Sequence, residues 1–176
     1  SPSNPTGTII DAGGMAELCS YCSNNGIRLI SDEIYHGITY GSQAVSALEF
    51  DNNAVTINSF SKYFSMTGWR LGWMVVPEDL IRAVECLAQN LFISAPTLSQ
   101  IAGVAAFDCS VELEENVAKY AANRSLLLKQ LPKAGFNRLA PADGAFYIYA
   151  DVAELTNDSL EFCRRILNET GVAITP

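Results

Sequence analysis

Short strand-like runs separate amphipathic stretches in the first half of the chain. Residues 11–25 have helical spacing of apolar side chains after Asp11, a residue suited to cap a helix. Two short runs follow, Ile27 to Ser31 and Ala54 to Asn58, and each is typical of a strand buried on both faces in a parallel sheet. A third run, Leu71 to Val76, predicts a further strand of the same sheet.

Helical periodicity dominates the middle of the chain, and strand patterning returns after Gly135. The spacing of apolar residues predicts three successive helices, beginning near Pro77, Leu98 and Leu113 and ending at Lys133. The remaining predicted elements are an alternating strand from Phe146 to Asp151, a helix from Asp158 to Thr170, and a strand from Val172 to Thr175.

This order of elements predicts an α/β fold. We expect a mostly parallel sheet with helices on both faces, followed by part of a smaller α+β domain. The change of pattern places the domain boundary within the third predicted helix, which divides the chain into residues 1–120 and residues 121–176.

Composition and charge exclude several classes of partner. The net charge of −8 and the absence of a basic run argue against binding to nucleic acid or to an anionic membrane surface. No apolar stretch approaches the length of a membrane span, and no signal peptide is visible.

The five cysteines do not form the pattern of a disulfide framework, which predicts a reducing, cytoplasmic setting. Cys19 and Cys22 form a CxxC motif without a second pair. We interpret both as residues on the buried side of a helix, and we predict no metal site.

The stretch from Ser59 to Trp73 carries the clearest chemical signal. Ser59 and Ser61 offer hydroxyl groups, Lys62 offers an amine, and Arg70 offers a guanidinium within one loop. Hydroxyl and guanidinium groups bind phosphate oxygens, and an amine can form a Schiff base with an aldehyde. Pyridoxal 5′-phosphate (PLP) combines both groups, and the carboxylate that its pyridinium nitrogen requires is available at Asp32.

Three motifs in this order resemble the class I/II, fold-type I, PLP-dependent aminotransferases. They are Ser3-Asn4-Pro5-Thr6-Gly7, then Ser31-Asp32-Glu33-Ile34-Tyr35, then Ser59-Phe60-Ser61-Lys62 with Gly68-Trp69-Arg70-Leu71-Gly72. The resemblance is close as far as Pro77 and looser from Gly144 onward. It implies that residues 1–120 are part of the PLP-binding large domain and that residues 121–176 are part of the C-terminal small domain.

The resemblance also implies a role for each candidate site residue. Lys62 would be the Schiff-base lysine and later the general base, and Asp32 would pair with the pyridinium nitrogen. Glu33 beside Asp32 is interpreted as structural. The other implied cofactor contacts are Asn4 and Tyr35 to the phenolic oxygen, and Ser59, Ser61 and Arg70 to the phosphate.

The function implied by the resemblance is transfer of an amino group from an amino acid to a 2-oxo acid by a homodimer. A PLP-dependent carbon–sulfur β-lyase shares all of these motifs, and a non-catalytic, aminotransferase-like sensor domain of a transcription regulator is a third possibility. Because the chain has no initiator methionine and lacks the family's arginine for the substrate carboxylate, we expect it to be a truncated fragment that is inactive alone.

Overall fold

The computed structural model describes all residues, Ser1 to Pro176, and its elements confirm a mixed α/β fold. The five helices are α1 Ala12–Asn24, α2 Glu78–Leu91, α3 Thr97–Ala106, α4 Ser110–Gln130 and α5 Ser159–Thr170. The five strands are β1 Ile30–Asp32, β2 Val55–Ser59, β3 Gly72–Val75, β4 Arg138–Leu139 and β5 Ala150–Asp151. No helix combines the length and the apolar character that crossing a membrane requires.

The main sheet has the order β1-β2-β3 and contains one parallel and one antiparallel pairing. β1 and β2 run parallel, whereas β3 runs antiparallel to β2 in a sheet that was predicted to be mostly parallel. The physical reason is the connection from β2 to β3, which is a loop with one 3₁₀ turn, Thr67–Trp69, and has no crossover helix. A strand joined in this way turns back on its neighbour.

The expectation that the first strand is buried on both faces is wrong for this chain. β1 lies at the edge of the sheet, and Ile30 is 65% exposed. α1 nevertheless packs as predicted. Asp11 accepts a hydrogen bond from the Gly14 amide at 2.8 Å at the start of the helix, and both cysteines of the CxxC motif are buried.

An aromatic cluster holds the loop between β2 and β3 against α3. Phe60 is buried, and its ring makes edge contacts with the rings of Trp73 and Phe107 at centroid distances of 5.1 and 5.6 Å. The buried Ser99 on α3 donates a hydrogen bond to the Trp69 carbonyl at 2.7 Å. These contacts fix the loop that follows Lys62.

The predicted strand from Phe146 to Asp151 is shorter than expected, since only its last two residues pair with β4. The predicted strand from Val172 to Thr175 is absent. Backbone hydrogen bonds divert the chain just before Phe146, and Ala142 and Ala145 have left-handed conformations with φ of 50° and 59°.

We call this diversion the Gly144 junction, and it comprises Gly7, residues 38–40 and residues 143–145. The hydrogen bonds are Gly144 N to Gly7 O at 2.8 Å, Ala145 N to Ile38 O at 2.9 Å, and Tyr40 N to Asp143 O at 2.8 Å. The junction therefore joins three segments that are far apart in sequence.

Gly144→Ala should destabilise the protein by about 1–3 kcal/mol, because the added methyl group overpacks the junction. A Cβ atom at Gly144 would lie 2.6 Å from Pro2 Cγ and 2.9 Å from the Ile38 carbonyl oxygen. Gly68→Ala is the matched control, since a Cβ atom at Gly68 meets nothing within 4 Å. Urea unfolding of the two variants measures the difference, and equal midpoints would contradict the packing argument.

Candidate functional site

The amine of Lys62 faces aromatic rings. Its Nζ atom lies 5.6 Å from the centroid of the Tyr35 ring and 5.8 Å from that of the Phe146 ring. Lys62 takes part in none of the five ion pairs of the chain. Its side chain is therefore held near a cluster of rings without a carboxylate that would neutralise it.

Three polar side chains meet beside this lysine, and two of them were predicted. The Tyr35 and Tyr147 hydroxyl oxygens are 2.6 Å apart. The Asn4 amide donates to Tyr35 Oη at 3.5 Å and to Tyr147 Oη at 3.4 Å. The structure thus brings Asn4, Tyr35 and Lys62 together, as their implied roles require, and adds Tyr147.

The Tyr35 hydroxyl group stays protonated well above neutral pH. Tyr35 is only 3% exposed, and burial together with the Tyr147 hydroxyl raises its pKa far above the ordinary tyrosine value. Its ring also makes an edge contact with Phe146 at 5.5 Å. Tyr35 is therefore a fixed neutral donor or acceptor beside the amine.

Asp32 and Ser59 are the last residues of the neighbouring parallel strands β1 and β2, so both lie at the carboxyl ends of these strands. Asp32 ends β1 opposite Ile57 of the parallel strand, and Ser59 stands two residues beyond Ile57. Side chains alternate along a strand, so Asp32 and Ser59 project from the same face. Asp32 is exposed in this chain, and its Oδ1 accepts a hydrogen bond from the Ile34 amide at 3.1 Å.

The two serines form one hydroxyl pair at the end of β2. Ser59 Oγ lies 2.9 Å from Ser61 Oγ and accepts from the Ser61 amide at 3.0 Å. Thr67, which sequence reasoning missed, donates its hydroxyl hydrogen to the Ser61 carbonyl at 2.7 Å. The pair is thereby held in a closed turn.

Arg70 is joined to this turn indirectly. It has a left-handed conformation, with φ of 53°, and its Nη1 donates to the Thr67 carbonyl at 2.9 Å. No direct hydrogen bond connects Arg70 with Ser59 or Ser61. The guanidinium group is exposed and keeps other N–H donors for a ligand.

Glu33 is structural, as the sequence indicated. Its carboxylate is nearly buried, and Oε1 accepts from Ser46 Oγ at 3.0 Å and from the Ala47 amide at 2.9 Å. The carboxylate also lies 3.7 Å from Nδ1 of His36. Glu33 therefore fixes the chain that follows the site and leaves Asp32 as the carboxylate that can meet a ligand.

Tyr63 connects the lysine loop to α4. Its hydroxyl group donates to Glu114 Oε1 at 2.6 Å. Burial and this hydrogen bond raise the pKa of Tyr63 to about 12. The residue after Lys62 is thus anchored on a helix outside the sheet.

The donor set fits PLP. A lysine amine without an ionic partner can condense with an aldehyde, the hydroxyl pair and Arg70 can receive a phosphate, and Asp32 can pair with a protonated ring nitrogen. No group of three or more His, Cys, Asp or Glu side chains is arranged to bind a metal ion.

The comparisons with known proteins agree with this chemistry. The sequence profile of the family described as "Aminotransferase class I and II" matches residues 1–176. The chain is 54% identical over 180 residues to a valine–pyruvate aminotransferase of Mycobacterium tuberculosis, and 41% identical over 181 residues to a (5-formylfuran-3-yl)methyl phosphate transaminase of Methanocaldococcus jannaschii. All of this chain is covered, but only 46% and 47% of the two relatives.

Solved structures show the same likeness. The crystal structure of an aminotransferase from Mycobacterium tuberculosis superposes with a TM-score of 0.97 at 55% identity, over 100% of this chain and 46% of that chain. The chain therefore spans about half the length of the relatives that it matches.

The stability of the folded protein should fall as the pH rises above about 10. Tyr63 keeps its proton in the folded state up to about pH 12, whereas the unfolded chain loses it near the ordinary tyrosine pKa, so a higher pH favours unfolding. Urea unfolding between pH 9 and pH 11, in roughly half-unit steps, measures the slope. Tyr63→Phe should make the slope shallower, and an unchanged slope would show that Tyr63 ionises normally.

Proposed function

This chain belongs to the class I and II aminotransferase family, and we propose that it forms the cofactor-lysine part of a PLP-dependent aminotransferase. The reaction would transfer an amino group from an amino acid to a 2-oxo acid. The observation that carries the proposal is the amine of Lys62, which stands without an ionic partner beside Asn4 and Tyr35. The names of the relatives support the same reaction class.

The chain would be one part of a longer, dimeric and cytoplasmic enzyme. It spans about half the length of its relatives, and α2 buries none of its residues. Large apolar side chains on α2 and α3 are exposed, among them Leu91 at 75%, Leu98 at 74% and Val104 at 74%. Further chain and a second subunit would cover them. Residues 1–120 would belong to the large domain and residues 121–176 to the small domain.

Lys62 would hold PLP covalently and would move the proton at the substrate Cα. Bound PLP supplies an electron sink that stabilises negative charge at this carbon. Asp32 would keep the ring nitrogen protonated. Because its second carboxylate oxygen makes no hydrogen bond within the chain, this oxygen is free to meet the cofactor.

The remaining residues would orient the cofactor. Asn4 and Tyr35 would hydrogen-bond the phenolic oxygen, and Tyr35 can do so as a neutral donor because its pKa is raised. The phosphate would be held by Ser59, Ser61 and Arg70. Valine with pyruvate is the first substrate pair to assay, because the relative that is 54% identical carries that name.

Lys62→Ala should abolish the covalent attachment of PLP. The experiment uses the complete gene product, by which we mean the protein encoded by the whole reading frame that contains this chain. Wild-type protein reduced with borohydride in the presence of PLP should carry a pyridoxyl group on the peptide containing Lys62, and Lys62→Ala should carry none.

Lys119→Ala is the matched control for this substitution. Lys119 lies on the exposed surface of α4, where its Nζ is 3.5 Å from Asn116 Oδ1. This variant should label like wild type. A pyridoxyl group found on Lys119, Lys129 or Lys133 in the wild-type protein would overturn the assignment of Lys62.

Asp32→Asn should lower the rate of transamination by a factor on the order of 10³, which corresponds to about 4 kcal/mol of transition-state stabilisation. The substitution removes the negative charge that would hold the ring nitrogen protonated, and it nearly preserves the shape of the side chain. Asp11→Asn is the control, since Asn also caps a helix well. The measurement is steady-state kinetics, with the amount of bound PLP determined by absorbance. A wild-type rate in Asp32→Asn would contradict the cofactor role of Asp32 and leave it only a role in forming the turn.

A further inference from the structure

We propose that Tyr147 is a positioning residue for Tyr35, which it holds by donating a hydrogen bond to the Tyr35 hydroxyl oxygen. This proposal rests on the proposed function, because it concerns how Tyr35 meets the cofactor. The contact between the two hydroxyl oxygens is 2.6 Å long and joins residues 112 positions apart.

A count of hydrogen atoms shows what the cluster offers to a ligand. Each tyrosine hydroxyl carries one hydrogen and can accept, and the Asn4 amide only donates through its nitrogen. The contact between Tyr35 and Tyr147 uses one hydroxyl hydrogen, and Asn4 donates to both oxygens. One hydroxyl hydrogen therefore remains without an acceptor in the chain and can be donated to a ligand oxygen.

The location of the two rings indicates which hydroxyl keeps this hydrogen. The Tyr35 ring lies beneath the Lys62 amine, at 5.6 Å. The Tyr147 ring instead lines a cavity of about 370 Å³ together with Tyr120 and Arg124, and Lys62 is not among the residues that line this cavity. We therefore assign the remaining hydrogen to the Tyr35 hydroxyl group, which can donate it to a ligand near Lys62. The Tyr147 hydroxyl group then donates its hydrogen to the Tyr35 oxygen.

The backbone explains why Tyr147 reaches this position. It follows the Gly144 junction by two residues, and the junction ties this segment to the chain that carries Tyr35. Phe146 fills the neighbouring space, with its ring 5.5 Å from that of Tyr35. The main-chain hydrogen bonds of the Gly144 junction therefore position Tyr147 next to Tyr35.

The environment of Tyr35 gives the hydrogen bond its strength. The ionisable groups that bear on Tyr35 are Lys62, Asp32 and Tyr147, and the side chain is almost fully buried. In a buried network, a donor that itself accepts a hydrogen bond becomes polarised and donates more strongly. Loss of the Tyr147 hydroxyl group should weaken the donation by Tyr35 to the cofactor oxygen.

A double-mutant cycle in the complete gene product tests this inference. The four proteins are wild type, Tyr147→Phe, Tyr35→Phe and the double variant, and the readout is the pH dependence of the visible absorption of bound PLP. Tyr147→Phe should raise the apparent pKa that this absorption reports by roughly half a unit. The reason is that a weaker hydrogen bond from Tyr35 to the cofactor oxygen stabilises the deprotonated form of the bound cofactor less. In the Tyr35→Phe background, Tyr147→Phe should have no further effect.

Tyr149→Phe is the matched control, since Tyr149 is 48% exposed and its hydroxyl group makes no hydrogen bond in the chain. The visible absorption of PLP bound to Tyr149→Phe should have the same apparent pKa as that of the wild-type protein. An equal shift from Tyr147→Phe in both backgrounds, or no shift in either, would overturn the positioning role. If wild-type protein acquires no visible band with PLP, the proposed function fails instead, so the two failures are distinguishable.

Discussion

Hydrogen bonding at the Gly144 junction is the constraint on which the candidate site depends. The loop that contains Asn4, the turn that contains Tyr35 and the segment that contains Tyr147 have no helix or strand in common. Main-chain hydrogen bonds from Gly144 and Ala145 hold the three together, and they satisfy backbone groups that are buried at this point. The hydroxyl cluster beside Lys62 follows from that backbone arrangement.

The elements that could be predicted from the sequence are those that depend on neighbouring residues alone. The helices had clear apolar spacing, and α1 begins beside a capping aspartate that forms the expected hydrogen bond. The direction of β3 could not be predicted in this way, because it is decided by the path of the loop from Phe60 to Leu71 and by the packing of Phe60 against α3. The strand predicted from Phe146 failed for a related reason, since long-range hydrogen bonds outweigh an alternating pattern.

The candidate site shows the same division between local and long-range information. Motifs predicted its main residues, and the structure places Asn4, Tyr35 and Lys62 together and pairs Ser59 with Ser61. Tyr147 carried no local signal, since its partner is more than a hundred residues away. The exposure of Asp32 was also unpredictable, because it depends on which elements lie beside an edge strand.

The long separation between Tyr35 and Tyr147 has a consequence for the order of folding. Contacts between residues far apart in sequence require the closure of a long loop and form late, whereas helices such as α1 can form from local contacts alone. During synthesis from the N-terminus, Lys62 and the serine turn leave the ribosome well before Tyr147. The hydroxyl cluster is thus completed only after α4 has been made, so the newly made chain passes through a stage in which the lysine is present but its aromatic surroundings are incomplete.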